Sequence, residues 1–166
     1  MTTAVYAGSF DPITYGHLNI IGQASQAFDK VIVAIGLNSN KKHILSQDER
    51  YELIYKVTNH FGNVSVMTFD GLLATFCKNL QRKSVVIVRG LRAVSDFENE
   101  MAISHLNKKV YPDILTVFFP TPAELAFVSS SAARELARYK TEKEATNALD
   151  AYVPQIVKDK LLSLKL

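Results

Sequence analysis

The feature that most constrains this chain is an alternation of two periods. Short β-branched and apolar runs recur at Ala4-Val5-Tyr6-Ala7, Val31–Ile35, Val64–Met67, Val85–Val88 and Leu115–Phe119. Stretches of helical spacing separate them, near residues 17–28, 46–60, 71–81 and 95–109, and three more follow near 129–139, 142–150 and 153–163. Ser46 with Glu49 three residues later forms a capping box that starts the second helix, and Pro154 suits the first turn of the last. Runs that are apolar on both faces are what a sheet covered by helices on both sides requires. The pattern predicts an α/β fold: a doubly wound, five-stranded parallel sheet with right-handed crossovers and added C-terminal helices.

No repeat, low-complexity tract or long linker interrupts the pattern, so residues 1–166 are expected to form one domain. Hydrophobic residues make up 48% and charged residues 21%, a balance that supports a packed core and argues against disorder. The net charge of +3 is too small to mark a nucleic-acid partner. A local basic site for a phosphorylated small molecule stays open. One cysteine, Cys77, excludes an intrachain disulfide and a cysteine metal cluster, and its apolar surroundings read as core. No apolar run approaches the ~20 residues of a membrane span, and no basic region precedes an apolar core at Met1-Thr2-Thr3. A soluble cytoplasmic protein without a membrane partner is expected.

In a doubly wound sheet, ligands bind beyond the carboxyl ends of the strands, so function should lie in the loops that follow them. After the first run comes Gly8-Ser9-Phe10-Asp11-Pro12-Ile13-Thr14-Tyr15-Gly16-His17. It is neither a P-loop nor a dinucleotide fingerprint. It does offer glycines for close backbone approach, a hydroxyl at Ser9, a helix N-terminus and the ring N–H of His17, all suited to an anion. Taken singly, these residues also fit an ordinary turn and a structural histidine.

Thr14-Tyr15-Gly16-His17 resembles the (T/H)-x-G-H motif of the nucleotidyltransferase superfamily, and the longer Gly8–His17 segment resembles the start of the bacterial phosphopantetheine adenylyltransferases. The stretch Arg89-Gly90-Leu91-Arg92-Ala93-Val94-Ser95-Asp96-Phe97-Glu98 is similar to that family's R-G-L-R-x-x-x-D-F-E signature. Val128-Ser129-Ser130-Ser131-Ala132-Ala133-Arg134 resembles the superfamily's I-S-S-[ST]-x-x-R motif. The likeness runs from about Ala4 to Arg138. Asn99 departs from it, standing where many members carry an aromatic residue.

The resemblance implies transfer of AMP from ATP to 4′-phosphopantetheine, giving dephospho-CoA and pyrophosphate, on a Rossmann-like nucleotidyltransferase fold. It assigns catalysis to His17, Ser9, Lys41 and Arg92. It assigns the acceptor to Ser9, Lys41, Leu73 and Arg89. ATP falls to Ser9, Phe10, His17, Gly90, Leu91, Arg92 and Glu100, and to the loop Leu125-Ala126-Phe127-Val128-Ser129-Ser130-Ser131. By residue type alone, Lys41-Lys42 also reads as a solvated pair and Leu73 as ordinary core. The arginines also read as partners of Asp96 and Glu98, Glu100 as a structural neighbour of Asp96, and one serine as a plain helix cap.

The sequence provides no nucleophile with a base beside it, so catalysis by positioning and charge stabilisation is expected, with Mg2+ bound through the ATP phosphates. The resemblance also implies a homohexamer and inhibition by CoA. Competing readings are another nucleotidyltransferase, such as a cytidylyltransferase or a nicotinate mononucleotide adenylyltransferase; a catalytically silent nucleotide or CoA sensor; and an unrelated flavodoxin-like binding module.

Overall fold

The computed structural model describes residues 1–37 and 42–165; Lys41 lies outside them. Five strands form one parallel sheet: β1 (Thr3–Gly8), β2 (Lys30–Leu37), β3 (Val64–Asp70), β4 (Val85–Leu91) and β5 (Leu115–Pro120). The order across the sheet is β3-β2-β1-β4-β5, so the chain reverses its direction of travel between β1 and β4. Loops on either side of that reversal diverge and leave a crevice at the carboxyl ends of the strands.

Helices cover both faces. They are α1 (Tyr15–Ala27), α2 (Gln47–Thr58), α3 (Leu73–Asn79), α4 (Val94–Val110), α5 (Ser130–Arg138), α6 (Lys143–Ala148) and α7 (Gln155–Ser163). Alternation along β1 shows how the sheet feeds two cores. Ala4 and Tyr6 join the larger one with Ile20 and Ile21 of α1, Ile54 of α2, and Val157 and Leu161 of α7. Val5 and Ala7 face the smaller one with Ile87 and Cys77. Burying about a dozen large aliphatic side chains at roughly 1.5–3 kcal/mol each drives this assembly. The C-terminal helices thus pack on the sheet. Among the described residues, no helix is long and apolar enough to cross a membrane.

The expected elements all form, with shifted ends. The β4–β5 ladder continues through Arg89↔Phe118, Gly90↔Phe119 and Leu91↔Pro120, so the Arg-Gly-Leu segment is the end of a strand rather than the loop after it. Pro154 caps α7 from outside, and the helix begins at Gln155. The edge strands are less covered than their apolar sequences predict, with Met67 38% and Leu115 57% exposed, because each has a neighbour on one side only.

Candidate active site

The turn out of β1 is held by close packing. A Cβ at Gly8 would lie 3.2 Å from the ring of Phe10, which is itself buried, with φ at 47°. A left-handed non-glycine residue costs about 1–2 kcal/mol, so surrounding contacts must hold it. Two buried charged residues do so. Arg50 of α2 donates from Nη1 to the carbonyl of Ser9 at 2.8 Å. The Asp11 carboxylate accepts from the backbone N–H groups of Ile44 and Leu45 at 3.1 and 3.0 Å. His43 Nδ1 lies 3.4 Å from the same carboxylate.

Helix α1 then starts with a capping box in which histidine replaces the usual Glu or Gln. Thr14 Oγ1 accepts from the backbone N–H of His17 at 3.4 Å, and the Thr14 N–H donates to His17 Nδ1 at 3.1 Å. With Nδ1 an acceptor, the neutral ring carries its proton on Nε2. Burial, reinforced by the positive charges of Arg92 and Arg89, lowers the pKa of His17 from 6.5 to about 4. At neutral pH this residue is an uncharged N–H donor.

Across the crevice, β4 ends in two arginines with different commitments. Arg89 grips Glu100 of α4 through Nε and Nη2, both at 2.5 Å, and donates from Nη1 to the Ala7 carbonyl at 2.9 Å. Burial works against its charge, but the Glu100 carboxylate outweighs that and raises the pKa further. Arg92 is looser: its side chain is 40% exposed, and it pairs with Asp96 through Nε at 3.1 Å. Although burial opposes it, bonding to Arg92 keeps the Asp96 carboxyl below its usual range. The partners of the arginines are therefore Asp96 and Glu100, not Asp96 and Glu98, because one helical turn separates the first two on the face that meets the sheet.

The third wall is the serine segment before α5. Ser129 is the helix cap, accepting from the Ala132 N–H at 3.1 Å. Ser130 donates to the Pro12 carbonyl at 2.8 Å, and Arg134 donates to the Asp11 carbonyl at 2.6 Å and to Ser131 Oγ at 3.1 Å. These bonds latch the loop after β5 to the loop after β1.

Together the three segments enclose a cavity of about 360 Å³. Ser9 and His17 line one side, Arg89, Gly90, Arg92 and Glu100 another, and Val128, Ser129, Ser130 and Ser131 a third. Hydroxyls, a neutral imidazole and two guanidinium groups around one volume make a receptor for phosphate-bearing molecules.

The cytidylyltransferase-like family model matches residues 5–136. A phosphopantetheine adenylyltransferase of Desulforamulus reducens is 44% identical over 161 residues, covering 97% of this chain and 95% of that protein. Proteins of the same name from Heliobacterium modesticaldum and Clostridium botulinum are 49% and 50% identical over 139 residues, covering 84% of this chain and 82% and 84% of theirs.

The chain belongs to the phosphopantetheine adenylyltransferase family.

Among solved structures, a Plasmodium falciparum nicotinic acid mononucleotide adenylyltransferase superposes with a TM-score of 0.67 at 19% identity, covering 97% of this chain and 94% of that one. A putative nicotinate-nucleotide adenylyltransferase from Vibrio parahaemolyticus reaches 0.68 at 16%, covering 97% and 91%. These share the Rossmann-like nucleotidyltransferase fold.

Some residues named from sequence stand off the cavity wall. Phe10 is core, and Leu73 packs against the smaller core at the start of α3. Phe127 is 55% exposed and meets the Tyr152 ring edge-on. Leu91, Leu125 and Ala126 are not among the lining residues. Sequence reasoning missed Tyr6 and Thr121, which do line it, and the anchoring roles of Asp11 and Arg50. The signal for Tyr6 was faint: a residue with a polar tip inside an otherwise aliphatic strand run.

Proposed function

We propose that this cavity transfers the adenylyl group of ATP to 4′-phosphopantetheine by direct in-line attack, giving dephospho-CoA and pyrophosphate for coenzyme A biosynthesis. An oxygen of the pantetheine phosphate forms a bond to the ATP α-phosphorus. The bond from that phosphorus to the β-bridging oxygen breaks, and its electron pair leaves with pyrophosphate. The observation that carries this reading is the neutral imidazole of His17, fixed through Nδ1 so that Nε2–H remains to serve a cavity shared with Arg89 and Arg92. A donor that needs no proton exchange stabilises charge growing on the α-phosphate oxygens.

Ser9 hydrogen-bonds the phosphates at the reacting centre, and Lys41 and Arg92 neutralise the two anions as they meet. Arg89 serves the pantetheine side. Glu100 reaches toward the ATP ribose or acts by holding Arg89. The serine loop borders the β- and γ-phosphates. Cys77 is not a candidate nucleophile, being buried in the smaller core with its thiol pushed up to about 12 by burial.

Magnesium bound through the ATP phosphates fits these residues. Among the described residues, no group of three His, Cys, Asp or Glu side chains converges to cage a metal. Asp96 and Glu100 are each held by an arginine. Phosphate oxygens and water would then supply the ligands, and the ion would offset the triphosphate charge.

A cytoplasmic location accords with the free thiol. CoA carries both a pantetheine arm and an adenosine, so we expect it to inhibit by filling both halves of the site. A homohexamer is the assembly we propose. The exposed Val94, Phe97, Ile103 and Leu106 of α4 supply apolar surface for contacts between copies.

The deciding experiment measures pyrophosphate released from ATP with 4′-phosphopantetheine, with parallel arms using CTP and nicotinate mononucleotide. Release only in the ATP and 4′-phosphopantetheine arm is expected. Release in another arm alone, or CoA binding with no pyrophosphate formed, refutes the reading.

A further inference from the structure

Tyr6 lies near the end of the central strand, paired with Val33 of β2 on one side and Val88 of β4 on the other. It therefore forms the floor of the crevice at the reversal between β1 and β4. The residue is only 7% exposed, and its ring is wedged edge-on against Phe10, with centroids 5.6 Å apart, and tilted 6.3 Å from the ring of His17. A phenylalanine would satisfy that packing equally well. The hydroxyl needs a separate explanation.

Among the described residues, the Tyr6 hydroxyl has no hydrogen-bond partner, yet the residue lines the cavity. Among the described residues, the one buried side-chain polar atom sealed without a partner is His43 Nε2, so the Tyr6 hydroxyl opens onto the cavity rather than into the core. A buried phenol normally finds a partner, because an unpaired one forfeits about 1–3 kcal/mol. Among the described residues none supplies that partner, and the hydroxyl is left to bond what fills the cavity. Burial raises the phenol well above its ordinary pKa, outweighing Arg89 and Arg92, so it stays a neutral donor at every working pH.

We propose that Tyr6 is a further catalytic residue, its hydroxyl donating a hydrogen bond to a non-bridging oxygen of the phosphate undergoing transfer, beside His17. This rests on the adenylyl-transfer reading above. Ser9, His17 and Tyr6 then form a row of uncharged donors facing one phosphoryl group, while Arg89 and Arg92 supply the positive charge.

Tyr6→Phe keeps the ring and its contacts and removes only the donor. In the pyrophosphate assay, kcat falls about tenfold or more, with KM for ATP and for 4′-phosphopantetheine within about threefold of wild type, the pattern of a bond strengthened in the transition state. The thermal midpoint stays within about 2 °C, since no protein hydrogen bond is lost. Combined with His17→Gln, the loss is smaller than the product of the two single losses, because both donors serve one phosphate. A kcat within twofold of wild type, or a loss confined to KM, overturns the assignment of Tyr6 while leaving the reaction standing. If wild-type protein releases no pyrophosphate from ATP and 4′-phosphopantetheine, the reading and the role of Tyr6 fall together.

Discussion

Lowering the pH tests the His17 arrangement without touching substrate. The folded ring has a pKa of about 4 against an ordinary value of 6.5, a separation of about 2.5 units. At 1.36 kcal/mol per unit, the linked stability is at most about 3.4 kcal/mol. The sign follows from which state binds the proton first. The unfolded chain takes it up below about pH 6.5, whereas the folded ring resists until about pH 4. The contribution is therefore complete above pH 6.5 and is lost as the pH falls through 4. Integrating the linkage to pH 5 gives a loss of about 2 kcal/mol relative to pH 8.

The control is His17→Gln, because glutamine is a normal partner in a capping box and keeps the acceptor for the Thr14 N–H. Urea unfolding of both proteins at pH 8 and pH 5 isolates His17 from the other three histidines in the difference. Wild type should lose about 2 kcal/mol more than the variant. Its His17 C2 proton should show no NMR titration near 6.5. Equal acid losses in the two proteins, or a midpoint near 6.5, would show that the ring is neither desolvated nor fixed as a neutral donor.

Three other perturbations probe different parts of the site. His17→Ala should remain folded, with the lost cap interaction costing about 1 kcal/mol, while kcat drops roughly 10²–10³-fold; near-normal turnover would remove His17 from the mechanism. Gly90→Ala would place a Cβ 2.8 Å from Ile20 Cγ1, and the displacement should cost about 1–3 kcal/mol by urea titration, with α1 and hence His17 disturbed. Glu100→Gln leaves the Arg89 guanidinium without its carboxylate and should cost about 1–3 kcal/mol, lowering ATP affinity only if Glu100 also contacts the nucleotide; calorimetry with ATP separates the two effects.

Much of the architecture could be read from the chain alone. Apolar runs of period two and helical stretches of period 3.6 are local properties, and their alternation allows few arrangements other than a parallel sheet covered on both faces. The motif residues Ser9, His17, Arg89, Arg92 and Ser129–Ser131 were singled out by short spacings in sequence and by their resemblance to family motifs. All of them border one cavity.

What the sequence left open depends on neighbours far along the chain. It did not reveal that Arg89 is held by Glu100 rather than left as an open fork, since that requires α4 to return across the end of β4. Nor did it show Asp11 and Arg50 fixing the turn at Ser9 and Phe10, because their partners lie 33 and 41 residues away. Tyr6 looked like core from its strand, and only the strand order, with β4 beside β1, opens a crevice above its hydroxyl. Local periodicity and motif spacing determined which elements form and which groups are offered. Tertiary packing decided which charges are already spent on one another and which donors remain for a ligand, because pairing and desolvation are set by distance in space rather than along the chain.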